Sequence, residues 1–312
     1  RQMCIRDRYT GTWVWGYRTS ATATPLLTDT YIGPVFVATR NIPTEIKWVN
    51  NLPTNKANSN LPFWWASTDQ TLHWADPLNS GMLKTNYDGP VPAVVHLHGG
   101  EVPPVLDGGP DAWFTSDGTK VGQSYYSKDG IGAKNWAIYR YPNGMEAAPI
   151  WFHDHVLGIT RLNVYAGLAG GYIITDDGTN PPKPAVLNDP TKIVPIVIQD
   201  RMFDVNGQLY FPNVGINPEH PFWVPEFVGD VIVVNGKSWP FLDVGLNAYR
   251  FLFINGSSAR AYELDLFDRA AGLPGPPMWV IGTDGGYLDN PVKLDPTLKQ
   301  KLIIMPGERY DV

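Results

Sequence analysis

Short runs of β-branched and aromatic residues, each closed within a few positions by glycine, proline or Asn-Gly, recur along this sequence and point to strands rather than helices. Val35-Phe36-Val37, Ile46-Lys47-Trp48-Val49, Gly171-Tyr172-Ile173-Ile174, Val231-Ile232-Val233-Val234 and Tyr249-Arg250-Phe251-Leu252-Phe253-Ile254 are of this kind. The 31 glycines and 29 prolines are spread throughout, and long helical periodicity is scarce. Asn206-Gly207, Asn235-Gly236 and Asn255-Gly256 follow such runs and suit the positive φ angles of tight hairpins. One short helix is predicted after His155, where Val156, Leu157, Ile159 and Leu162 are apolar. The predicted class is all-β, a sandwich or barrel.

At 312 residues the chain has the length of two ordinary domains. The stretch from Asp176 to Lys192 carries Pro181, Pro182, Pro184 and Pro190 and reads as a connector. The predicted organisation is therefore a poorly defined leader over 1–29, one domain over 30–178, a linker over 179–192 and a second, C-terminally truncated domain over 193–312. Hydrophobic residues make up 43% and charged ones 17%, enough to build a core. The net charge of -6 is dispersed and gives no nucleic-acid footprint. No apolar run reaches membrane-spanning length, so no membrane partner is expected. The chain opens on Arg1 without an apolar leader, and its last strand-like run stops at Val312, so it is read as a piece of a longer protein. Cys4 is the one cysteine, which leaves no disulfide within the chain and no thiolate metal site. Trp13, Trp15, Trp64 and Trp65 fit a sandwich core as well as a sugar-stacking platform.

Four of the six histidines fall in two pairs, His96-Leu97-His98 and His153-Asp154-His155. Six scattered histidines would give only about 0.1 such pairs by chance. Apolar, strand-like residues precede each pair: Val94-Val95 and Pro149-Ile150-Trp151-Phe152. In a strand, residues i and i+2 point to one face, about 6.5–7 Å apart. That spacing is wide for rigid chelation of one ion and suits two neighbouring ions. Two such strands side by side would surround a multinuclear site with four imidazoles. Imidazole suits copper, zinc, iron and nickel, and copper or zinc leads where no thiolate or carboxylate cluster adjoins. A zinc lyase with His-x-His on a strand leaves one pair unexplained, and an amidohydrolase barrel needs alternating strands and helices that are missing here.

Val94-Val95-His96-Leu97-His98-Gly99-Gly100 and Trp151-Phe152-His153-Asp154-His155 resemble the first two copper motifs of the multicopper oxidases. Asp111-Ala112-Trp113-Phe114, Tyr141-Pro142-Asn143 and Thr160 to Leu168 are similar to the spore-coat laccase and bilirubin oxidase branch. So are Val234 to Pro240, Tyr249-Arg250-Phe251, Asp284-Gly285-Gly286 and Glu308-Arg309-Tyr310-Asp311. The resemblance covers about residues 30 to 312. It implies tandem cupredoxin-like Greek-key domains. It also implies that His96 is a type 2 copper ligand, that His98, His153 and His155 are type 3 ligands, and that Asp107 assists proton delivery.

The departures from the family pattern matter equally. No His-x-x-His-x-His or His-Cys-His motif is present, and beyond the two pairs only His73 and His220 remain, both expected to be structural. Asp154 stands where a blue-copper motif would place cysteine. The resemblance thus implies half of a trinuclear copper site here, with type 1 copper and a third cupredoxin domain supplied in cis by missing sequence. The parent would couple one-electron oxidation of phenolic or similar substrates to reduction of dioxygen to water, outside the cytoplasm, while this chain alone is expected to be inactive. The alternatives are a non-enzymatic copper-binding or interaction module and, behind it, a zinc-dependent enzyme.

Overall fold

In a computed structural model, residues 2–3, 11–20, 32–69, 87–130, 132, 134–176, 178, 189–213 and 226–312 are described. Cys4, His73, His220 and most of the expected leader and linker lie outside the described residues.

In the first half, the strands longer than two residues are β1 (Phe36–Thr39), β2 (Thr44–Val49), β3 (Val95–His98), β4 (Trp136–Tyr141), β5 (Ala148–Asp154) and β6 (Ala169–Thr175). Helix α1 (Pro62–Ser67) follows β2, and α2 (Thr160–Ala166) lies between β5 and β6. Four strands form a sheet in the order β1-β6-β5-β3, with β1 parallel to β6 and the other pairs antiparallel. Strands β2 and β4 form a separate antiparallel ladder. Its inward residues Trp48, Tyr139 and Tyr141 share one core with Ile150, Phe152, Tyr172, Val95 and Leu97 of the larger sheet. That face-to-face packing makes a sandwich. Trp48 donates from its indole to Tyr141 Oη at 3.1 Å, so the polar end of each ring is satisfied inside the core.

All seven residues of β5 are buried. A central strand covered on both faces reads as a continuous apolar run rather than an alternating one, and Ala148-Pro149-Ile150-Trp151-Phe152 is such a run. The chain then turns through Gly158, at φ +83°, before α2 begins. The expected helix is present, but it starts at Thr160, because a left-handed residue cannot sit inside a helix. Gly167 closes it at φ 123°.

In the second half, β7 (Ile193–Arg201), β8 (Val231–Val234), β9 (Lys237–Ser238), β10 (Arg250–Asn255), β11 (Met278–Thr283), β12 (Gly286–Leu294) and β13 (Arg309–Asp311) form one sheet. Its order is β9-β8-β7-β10-β13-β11-β12, with β7 parallel to β10. Asn235 and Gly236, at φ 46° and 79°, form the expected tight turn between β8 and β9. Asn255-Gly256 does not turn a hairpin. Asn255 is buried and donates from its side chain to the Arg260 and Ile304 carbonyls, tying neighbouring loops to the end of β10.

Of the four tryptophans singled out in the sequence, Trp15, Trp64 and Trp65 belong to the core and Trp13 lies at the surface. Trp15, Trp64 and Trp65 cluster with ring centroids 4.7–6.3 Å apart. This cluster runs on through Tyr165 to Phe211, Phe227, Val233 and Ile254, so one apolar body joins the two halves. Trp64 is fully buried, and its indole donates to Asn163 Oδ1 at 2.7 Å, linking α1 to α2. Trp64→Ala is expected to cost about 3–5 kcal/mol of stability. Trp64→Phe, which keeps most of the ring but orphans Asn163 Oδ1, is expected to cost about 1–3 kcal/mol. Denaturant titration of both variants checks this ranking, and equal losses would contradict it.

Candidate metal centre

The register of β3 against β5 sets the site. His96 lies directly opposite His153, and His98 opposite Trp151. Alternation then puts His96, His98, Trp151 and His153 on one face. His155 follows just past β5, where its backbone N–H bonds the Val94 carbonyl and prolongs the pairing. The four rings converge. Centroids are 5.3 Å apart for His96–His153 and for His98–His153, 4.8 Å for His96–His155 and 5.8 Å for His153–His155.

Two of the rings are oriented by backbone carbonyls. His96 Nδ1 lies 2.7 Å from the Asp107 carbonyl oxygen, and His153 Nδ1 lies 2.7 Å from that of Asp154. In the neutral rings these contacts place the proton on Nδ1 and leave Nε2 as a bare donor for a metal. His98 presents the other edge, with Nδ1 3.1 Å from His153 Nε2. Ring nitrogens of His96, His98 and His153 all lie within 4.8 Å of one another. His155 Nδ1 is buried and has no hydrogen-bond partner. An orphaned nitrogen among converging imidazoles is what a metal ligand looks like without its ion, so the donor set fits a borderline first-row metal.

Burial favours the neutral form of His98, His153 and His155. It lowers His98 to about 4, with Arg309 and the neighbouring imidazoles acting in the same direction. It lowers His153 to about 3 and also depresses His155. Neutral imidazole is the form that binds metals.

Asp154 points away from the rings. Its carboxylate accepts from Val94 N–H at 3.0 Å and from Val156 N–H at 3.1 Å. It therefore clasps the start of β3 to the end of β5, which fixes both histidine pairs. Burial pushes this carboxyl up to about 7, against hydrogen bonds from Val94, Asn163 and Val156 that pull it down. Asp107 sits at the end of a 3-10 turn over Pro104–Leu106, and its carboxylate Oδ1 is 3.3 Å from His96 Nδ1. Gly108, at φ +69°, lets this loop lie flat on β3, because a Cβ there would collide with the Val95 carbonyl.

Three contributors were not singled out from the sequence. In the sequence Asp154 stands out only as the residue at a cysteine position. Trp151, 4.4 Å from His153 and 5.1 Å from His98 between centroids, walls the site. It stands two residues before His153, so period-two spacing alone could have found it. Arg309 comes from the far sheet; its run Glu308-Arg309-Tyr310-Asp311 resembles the family, but nothing in it points to the histidines.

No family model matches the chain. It is 37% identical to a laccase of Bacillus subtilis (strain 168) over 306 residues, 96% of this chain and 50% of that protein. It is 34% identical over 306 residues to the multicopper oxidase LPR1 of Arabidopsis thaliana, covering 96% of this chain and 46% of the relative. The structure of the McoA multicopper oxidase of Aquifex aeolicus matches 89% of this chain and 46% of its own, with a TM-score of 0.57 and 26% identity. The chain spans about half the length of the curated relatives it matches.

Below about pH 6.5 an unfolded chain protonates its histidines, whereas folded His98 and His153 resist down to about 4 and 3. Their contribution to stability is present above pH 6.5 and lost as pH falls through that window. Asp154 acts oppositely: its folded value is raised from 3.8 to about 7, so its contribution is present below 3.8 and lost as pH rises through 7. With two imidazoles against one carboxyl, the metal-free chain is expected to lose stability from pH 6.5 to 4. His153→Gln should flatten that fall in denaturation midpoints measured across the range, and an unchanged slope would contradict it.

Proposed function

This chain belongs to the multicopper oxidase family and has its all-β, cupredoxin-like architecture, and from that premise we propose that its histidine cluster is half of a trinuclear copper site. In this reading His96 is the type 2 ligand, and His98, His153 and His155 are type 3 ligands. The observation that carries it is the convergence of ring nitrogens from two paired strands, with His98 Nδ1 and His153 Nε2 3.1 Å apart and His155 Nδ1 left orphaned. Residues 30–178 and 193–312 would be two cupredoxin-like domains, joined by a linker over 179–192. The remaining histidines, the type 1 cysteine and a third cupredoxin domain would come in cis from the further length that the relatives possess. The whole protein would oxidise phenolic or similar reductants one electron at a time and reduce dioxygen to water, acting outside the cytoplasm. Among the described residues no helix is long and apolar enough to cross a membrane.

Copper, when bound, supplies the redox chemistry of the dioxygen reduction. The residues of this chain would hold and shield it. The Asp107 and Asp154 carbonyls hold the protons of His96 and His153 on Nδ1, so both rings would offer Nε2 to copper. Trp151 covers one side of the His98–His153 pair and excludes water there. The Asp107 carboxylate, 41% exposed and beside His96, would carry protons between solvent and the site.

Copper titration of the metal-free chain tests this. Copper is expected to bind and to be lost in His98→Ala and His153→Ala. Gly108→Ala, which lifts the Asp107 loop from β3, should weaken copper binding about 10–100-fold. Zinc bound in preference to copper would favour a zinc enzyme instead. The 312-residue chain by itself is expected to show neither blue absorbance nor oxygen-coupled phenol oxidation, and either signal would overturn the half-site.

A further inference from the structure

A positive charge reaches the histidine cluster from the second sheet: that of Arg309, at the start of β13. Its side chain is 4% exposed. Nε donates to the Pro149 carbonyl at 3.2 Å, Nη1 to that of Gly307 at 2.9 Å and Nη2 to that of Asp284 at 3.0 Å. Asp284 Oδ1 also pairs with Nη1 at 3.0 Å. Strand β3 ends at His98, opposite Trp151, so it leaves the carbonyl of Pro149 on β5 free for this bond. Bonds to both sheets leave the guanidinium no room to swing away.

Two glycines bring it against His98. Gly99 follows His98 at φ +82°, and a Cβ there would collide with Arg309 Nη2. Gly307, at φ +86°, faces the ring itself, since a Cβ there would stand 3.1 Å from His98 Cε1 and 3.3 Å from Nε2. The 307–309 turn therefore closes the Nε2 side of His98 and leaves Nδ1 facing His153. We propose that Arg309 is a positioning residue and fixed positive charge at the His98 position, which favours the lower oxidation state of a metal held there. This inference rests on the copper reading above.

The physical basis is charge counting. Cu(II) carries one more positive charge than Cu(I), so a buried cation nearby penalises Cu(II) more, with little screening by salt. Asp284, whose carboxylate is 50% exposed, subtracts from that field. Arg309 and Asp284 thus bias the copper in opposite directions, whereas a role confined to packing would give both variants the same kind of loss.

The test measures Cu(I) and Cu(II) affinities of the metal-free full chain separately, by competition with chromophoric chelators. Near-UV circular dichroism checks the fold of each variant. R309Q is expected to lower the Cu(I)-to-Cu(II) affinity ratio about tenfold. D284N, close in shape and half-exposed, is expected to raise the ratio. R309K, which keeps the charge without the guanidinium fork, should stay nearer the parent than R309Q. An unchanged ratio in R309Q, or a shift of the same sign in R309Q and D284N, overturns the proposal. If R309Q does not fold, D284N decides alone, and a ratio that stays constant or falls is fatal. Copper binding that H98A and H153A leave untouched would instead remove the copper reading, and this inference with it.

Discussion

The pairing of β3 with β5 is the constraint on which the site depends. Strand side chains alternate, so a slip of one residue would send His96 and His98 into the sandwich core and bring Leu97 to the site. The Asp154 carboxylate guards against that slip by binding backbone N–H groups on both sides of the junction, at Val94 and Val156. A residue that never faces the rings therefore decides where they lie. Asn163, from α2, bonds the Pro92 carbonyl and the Trp64 indole, and so ties the same junction to the aromatic cluster.

The site joins opposing demands. Burial favours the neutral form of His98, His153 and His155, which suits ligation, yet each buried nitrogen needs a partner. Carbonyl oxygens satisfy Nδ1 of His96 and His153, His98 Nδ1 leans on His153, and His155 Nδ1 is left over. An apolar sandwich would have no reason to assemble such a set. The same burial that prepares the rings for a metal costs the metal-free fold stability in acid, so the cluster would be tolerated for its chemistry rather than for its contribution to folding.

Much of this was legible in the sequence. Short apolar runs between turn signals gave the all-β class, and the spacing of the two histidine pairs gave strand faces carrying imidazoles. What stayed hidden depended on long-range pairing. Asn255-Gly256 has hairpin chemistry, but β10 lies between β7 and β13, and the buried amide of Asn255 serves other loops. The helix after His155 begins late because Gly158 takes a left-handed conformation that apolar spacing does not reveal. Asp154 looked like a missing cysteine because its hydrogen-bond partners become visible only once β3 and β5 are aligned. Arg309 joins the site through backbone carbonyls, and carbonyls carry no sequence signature.

Each large sheet places two strands side by side in parallel: β1 with β6, and β7 with β10. Antiparallel neighbours can be linked by a tight turn, but parallel ones need a long crossover between them. Residues 36–39 therefore cannot find their sheet partner on a growing nascent chain until residues 172–175 have left the ribosome. Both histidine pairs emerge within that interval, so the imidazoles are synthesised, and exposed to whatever metal is at hand, before the sandwich that sorts their ring edges can close.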